Sequence, residues 1–141
     1  MRSAKLSWLI IGDTITLALV TVFGFASHGT LGSAGMRILS TFIPLLVSWF
    51  LIAPHLGVYK LEQASDARQL WRPFWAMVLA APFAAWMRGA WLNMPILPIF
   101  VVILGGVSAL SLLAWRFLYW LVLRRSGTTG TVTTGTVTSD G

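Results

Sequence analysis

The chain has 141 residues, 57% of them hydrophobic and only 10% charged, with a net charge of +6 and no cysteine. Soluble domains carry about 25% charged residues, so this chain has too little charge to cover a water-soluble core and enough apolar surface to sit in lipid. The missing cysteine excludes disulfides, thiol nucleophiles and cysteine-based zinc sites. The basic residues stand at the ends of apolar runs rather than on one face, which points to orientation in a membrane and away from nucleic acid.

In chain order, the first apolar run covers about residues 6–27 and holds Asp13. About twenty such residues cross a bilayer. Met1 to Lys5 resembles the basic start of a signal peptide, but the run that follows is too long for one and carries an aspartate, so a retained span is expected. A Gly-rich connection, Gly29 to Gly35, leads to a second run over about 37–59, with Pro44 and Pro54 inside it. Membrane bundles tolerate such prolines because neighbouring groups satisfy the freed carbonyls. Lys60 to Arg72 is well charged and belongs in water or at headgroups. Pro73 opens a third span over about 73–92, loosened at Pro82; Asn93-Met94-Pro95 is a tight turn; a fourth span covers about 96–122 and is closed by Arg124-Arg125. Residues 126–141, rich in Gly and Thr, offer nothing bulky to bury and are expected to be a disordered tail after a single domain over 1–125.

Orientation follows from the cations. Arg2, Lys5, Lys60, Arg68, Arg72, Arg124 and Arg125 fall on one side of such a four-span chain, and only Arg37 and Arg88 on the other. Both termini are therefore expected in the cytoplasm. Trp8, Tyr59, Trp71, Trp91, Tyr119 and Trp120 fall near span ends, where an aromatic belt belongs.

Two charges lie inside the apolar runs. Asp13 is about 10 Å from the cytoplasmic end of its span and Arg116 about 9 Å from the end of the fourth, at about 1.5 Å per residue. The matched depths predict a pair. Such a pair is either a structural bridge between spans one and four or a charge pair that opens to take a proton or a substrate. A second polar set, His28, Arg37 and Arg88, falls near the outer face; it reads as a shallow basic site for an anion, or as arginines snorkelling to the interface. Small residues suggest where helices touch: Gly24 lies eleven residues after Asp13, Gly105 eleven before Arg116, and Ala80, Ala84 and Arg88 step by four.

No catalytic constellation stands out: there is no phosphate-binding Gly loop, no HExxH and no supported Ser/His/Asp set. His28 and His55 are expected near opposite faces, so no haem or zinc site is expected, nor any other cofactor.

Several short motifs recur together. Gly12-Asp13, Phe23-Gly24, Ser27-His28, Pro44, Ser48-Trp49, Arg72-Pro73, Arg88 and Trp115-Arg116, in this order and spacing over about residues 7–122, resemble the bacterial and archaeal membrane proteins of the domain of unknown function 3054 family. The chain departs from that pattern at Phe25-Ala26, where an Arg is expected, and at Ser48, where a Gly is expected. The resemblance implies a four-span integral membrane protein with no assigned activity, and marks Asp13, His28, Arg88 and Arg116 as residues to test first.

The sequence thus predicts an all-α polytopic membrane protein, four transmembrane helices in a bundle with both termini cytoplasmic, in the cell (plasma) membrane. It is expected to be a structural or accessory component rather than an enzyme, in contact with membrane lipids and with a second copy or a partner membrane protein. The alternative is a small homo-oligomeric transporter or channel using Asp13 and Arg116.

Overall fold

Long runs of Leu, Ile, Val and Phe leave the backbone few ways to satisfy its own N–H and C=O groups away from water, and the helix is the simplest. The computed structural model describes residues 2–127, and these are helical almost throughout. Helix α1 is Arg2–Ser27, α2 is Gly35–Ile52, α3 is the single turn Leu61–Ala64, α4 is Trp71–Leu92 and α5 is Pro98–Ser126. Short 3-10 turns lie at Leu31–Ser33 and Ala67–Gln69. The expected Gly/Thr tail lies outside the described residues from 128 onward.

Helices α1, α2 and α5 are long and apolar enough to cross a membrane. Helix α4 is as long, at 22 residues, but less apolar, because it carries Arg72, Arg88, two prolines and four tryptophans. Its inner face is a stripe of small residues, including Ala76, Ala80, Ala81, Ala84 and Ala85. That stripe lets α2 and α5 close on it, and these are the two most extensive helix pairings in the fold. Ala81 faces Gly105 of α5 so closely that a Cβ on Gly105 would lie 2.7 Å from the Ala81 Cβ. Helix α1 packs less extensively, against α5 and α2. The shared core gathers Leu17, Leu45, Trp49, Met77, Ala80 and Leu112.

The helices run past the expected bounds in some places and stop short in others. Helix α1 starts at Arg2 rather than near residue 6, and α5 continues through Arg124 and Arg125 to Ser126. Helix α5 begins at Pro98 rather than 96, since proline suits the first helical position where its missing N–H is not needed. Helix α4 begins at Trp71, two residues before Pro73. The second run differs most: α2 ends at Ile52, not at 59. Pro54 has no N–H to continue the helical ladder, although Ala53 before it keeps helical angles and donates to Trp49 C=O. The chain then turns through Gly57, whose φ is +73°, with Gly57 N–H donating to Pro54 C=O at 3.0 Å and Val58 N–H to Ala53 C=O at 3.1 Å. This crossed pair of bonds ending on a left-handed glycine is the Schellman pattern. It sends residues 58 and 59 back toward the bundle.

Gly24 is not a contact point: a Cβ there would meet nothing within 4 Å, despite its place on the helical repeat from Asp13.

Replacing Gly105 with Val should separate α4 from α5 and cost about 1–3 kcal/mol, read as a lowered Tm in lipid nanodiscs. Gly24→Ala should leave Tm unchanged or slightly raised. Equal effects at the two positions would contradict this packing.

Candidate functional site

The most polar point of the interior lies where four segments meet: the middle of α1, the end of α2, the turn after it, and the C-terminal half of α5. Asp13 is wholly buried there and Arg116 is 3% exposed. Arg116 approaches side-on: Nη2 donates to Asp13 Oδ2 at 2.6 Å and Nε to Oδ1 at 3.1 Å. A two-pronged guanidinium–carboxylate contact of this kind combines charge with fixed geometry.

The close approach has a local cause. Gly12 precedes Asp13 and Trp115 precedes Arg116, and a Cβ on Gly12 would fall inside the Trp115 indole. The glycine lets the ring lie against the α1 backbone, which brings the next residue of each helix within hydrogen-bonding reach. The Trp115 Nε1 is buried and has no hydrogen-bond partner among the described residues, so the ring acts here through its flat apolar surface.

Two aromatic donors complete the site. The Tyr59 hydroxyl donates to Asp13 Oδ2 at 2.8 Å. The Trp49 Nε1–H is shared between the Tyr59 oxygen at 2.8 Å and Asp13 Oδ2 at 3.3 Å. Tyr59 is held by stacking on Phe50, with centroids 5.9 Å apart, and the Arg116 guanidinium lies 5.3 Å from the Tyr59 ring centroid. Arg116 also reaches the turn itself, with Nη1 donating to Val58 C=O at 3.0 Å. From α4, Arg72 Nη1 donates to Leu56 C=O at 2.7 Å and its Nε to Gln69 Oε1 at 2.6 Å. Carbonyls freed where α2 ends are thus capped by arginines from two other helices. This is the condition under which irregular backbone is tolerated beside apolar spans.

Beside Arg116, on the loop side, is a void of about 10 Å³ also lined by Gly57, Gln63, Gln69 and Arg72. That is about the size of one water. The buried Gln63 Oε1 beside it has no partner among the described residues. Asp13 does not line this void.

The residues singled out in the sequence are therefore distributed as follows. Asp13 and Arg116 meet. His28, Arg37 and Arg88 are not joined to one another by any hydrogen bond or ion pair among the described residues. His28 and Arg37 are exposed; Arg88 donates from Nε to Thr41 Oγ1 at 3.0 Å and lies over the Phe100 ring at 4.8 Å. Arg37 and Arg88 sense each other only as like charges. Tyr59 and Trp49 escaped sequence reasoning as site residues. Tyr59 reads as an interface aromatic, but it points inward. The available signal was that Trp and Tyr each carry a hydrogen-bond donor, and a buried carboxylate has more acceptor sites than a two-pronged arginine contact fills. Among the described residues no group of three or more His, Asp or Glu is placed to hold a metal ion.

The fold is thus all-helical, with three helices long and apolar enough to span a membrane and a buried charge pair joining the first and last of them. The family model described as protein of unknown function (DUF3054) matches residues 10–119, and the chain belongs to that family. No curated protein and no solved structure matches the chain.

Tyr59→Phe should cost about 1.5–3 kcal/mol, the range for a hydrogen bond to a charged group, measured as a fall in Tm in lipid nanodiscs. Gly12→Val should cost at least about 1–3 kcal/mol by driving Trp115 off the helix. A Tyr59→Phe variant as stable as the wild type would remove Tyr59 from the site.

Proposed function

We propose that the chain is a structural or accessory component of the cell membrane, crossing it four times with both termini in the cytoplasm, and that the Asp13 centre is a clamp rather than a transport site. The observation that carries this reading is the sealing of Asp13. The carboxylate has no exposed surface, and Arg116, Tyr59 and Trp49 all donate to it. A transport carboxylate needs a water-filled approach from at least one side, and neither the void beside Arg116 nor the groove between α4 and α5 touches Asp13. The reading is non-enzymatic: no nucleophile–base pair and no paired acids converge at the centre. Its partners would be lipids and either a second copy or another membrane protein, since the helices leave large apolar side chains such as Trp8, Phe23, Val102 and Leu110 outward.

Four crossings are supported by the length of α4 and by its place between α2 and α5. The cytoplasmic termini are supported by the cations gathered at the N-terminus, in the 60–72 segment and at the end of α5.

One observation favours a second reading, a small transporter or channel using the same pair. The water-sized void meets Arg116 from the loop side, next to an unpartnered Gln63 oxygen. It would give the guanidinium, though not the carboxylate, a first step toward water.

Two measurements decide. Reporters placed at Gly141 and near Ser33 should lie on opposite sides of the membrane; the same side would leave three crossings, with α4 not among them. Purified protein in liposomes should show no proton or solute flux above empty vesicles. Flux that is abolished by Asp13→Asn in a variant that still folds would replace the clamp with the transporter.

A further inference from the structure

We infer that the groove between the start of α4 and the second half of α5 binds one anionic phospholipid, with an acyl chain in the groove and the phosphate at Arg68 and Arg72. This rests on the membrane reading above and adds a ligand to it.

The groove has a volume of about 570 Å³ and is lined by Leu70, Trp71, Phe74, Leu113, Ala114 and Phe117. It is an open trough on the surface rather than an enclosed pocket. Every lining side chain is apolar, so nothing in the trough itself would hold water or a polar peptide. Ala114 forms a low point on α5, and the half-exposed rings of Trp71 and Phe117 stand beside it. A flexible hydrocarbon chain fits such a trough, because it needs width and apolar walls but no directional partner.

Arginines border the groove without lining it: Arg68 and Arg72 flank Leu70 and Trp71 in the chain. The Arg72 guanidinium lies 4.9 Å from the centroid of the Trp71 ring, which is part of the groove wall. Two of its nitrogens are fixed by Gln69 and Leu56, so Arg72 is a cation held in place. Arg68, two residues before Leu70, is exposed, and its side chain has no acceptor among the described residues; only its backbone N–H is engaged, by Asp66 at 2.9 Å. Arg124 and Arg125 close α5 on the same side, since α4 and α5 run antiparallel through the short connection at 93–97. An apolar trough ending at a fixed arginine and a free-reaching one matches a lipid with a net negative headgroup. A zwitterionic headgroup would bring its own cation against these arginines. Basic residues near the membrane surface contribute about 1 kcal/mol each toward anionic lipid, about fivefold in affinity.

The test uses the whole chain in nanodiscs of phosphatidylcholine with and without phosphatidylglycerol, read by native mass spectrometry and by Tm. The expected result is one retained phosphatidylglycerol, chosen over phosphatidylcholine, with Tm raised in its presence. Arg68→Gln, a surface change outside the buried network, should lower the preference about fivefold. Ala114→Phe, which fills the trough, should abolish retention of either lipid. No preference for phosphatidylglycerol, or a preference unchanged in both variants, would overturn the proposal. So would a dimer that forms without lipid and is lost in Ala114→Phe, since a second copy would then occupy the groove. A chain that fails to enter nanodiscs at all would overturn the membrane reading as well; entry without lipid choice would overturn this inference alone.

Discussion

A buried ion pair inside an apolar bundle is a severe constraint. Each charge costs several kcal/mol to take from water, and their attraction repays this only with good geometry and enough extra hydrogen bonds. Here both conditions are met. Arg116 engages both oxygens of Asp13, and Tyr59 and Trp49 add donors to Oδ2. A half-satisfied version of this site would be worse than a plain apolar contact. The positions of α1, α5 and the turn at 53–59 are therefore bound to one another: moving any of them leaves a charge or a donor stranded.

The constraint weighs most on α1. Helices α2 and α5 each close on α4, through its alanines and, from α5, through Gly105, but α1 makes less contact with the rest. Packing among apolar spans gains little from the hydrophobic effect, because lipid is as apolar as leucine. What fixes α1 is specific: a glycine that admits the Trp115 indole and an aspartate that reaches Arg116. The turn after α2 depends on the same arginine. Its carbonyls at Leu56 and Val58 accept from Arg72 and Arg116, so a segment that reads as the tail of a span is instead a plug of irregular backbone beside the charge pair.

Much of this was readable from the residues. Asp13 and Arg116 stand out as charges inside apolar runs at matched depth, and they meet. The helices follow the apolar runs because apolar surroundings leave the backbone little choice. Tyr59 and Trp49 were not readable as partners of Asp13. Their direction depends on the turn that Pro54 and Gly57 make, and hydropathy sees only an aromatic near a span end. Gly24 shows the opposite failure. Helical repeat places it on the face of Asp13, but repeat alone cannot say how far along that face the neighbouring helix stays close, and nothing packs there. Helix α4 was legible in part: the four-residue step of Ala80 and Ala84 marks the face that packs, although its tryptophans and arginines lower its apolar character.

The clamp is tested most directly by a double-mutant cycle on Asp13 and Arg116, with stability measured in lipid. Asp13→Asn alone should cost about 3–5 kcal/mol because it leaves Arg116 buried without its counter-charge. Adding Arg116→Gln should recover a large part of that loss, since two neutral groups no longer need each other. Single-variant losses that simply add, to within about 0.5 kcal/mol, would contradict the pair as the element holding α1 to α5.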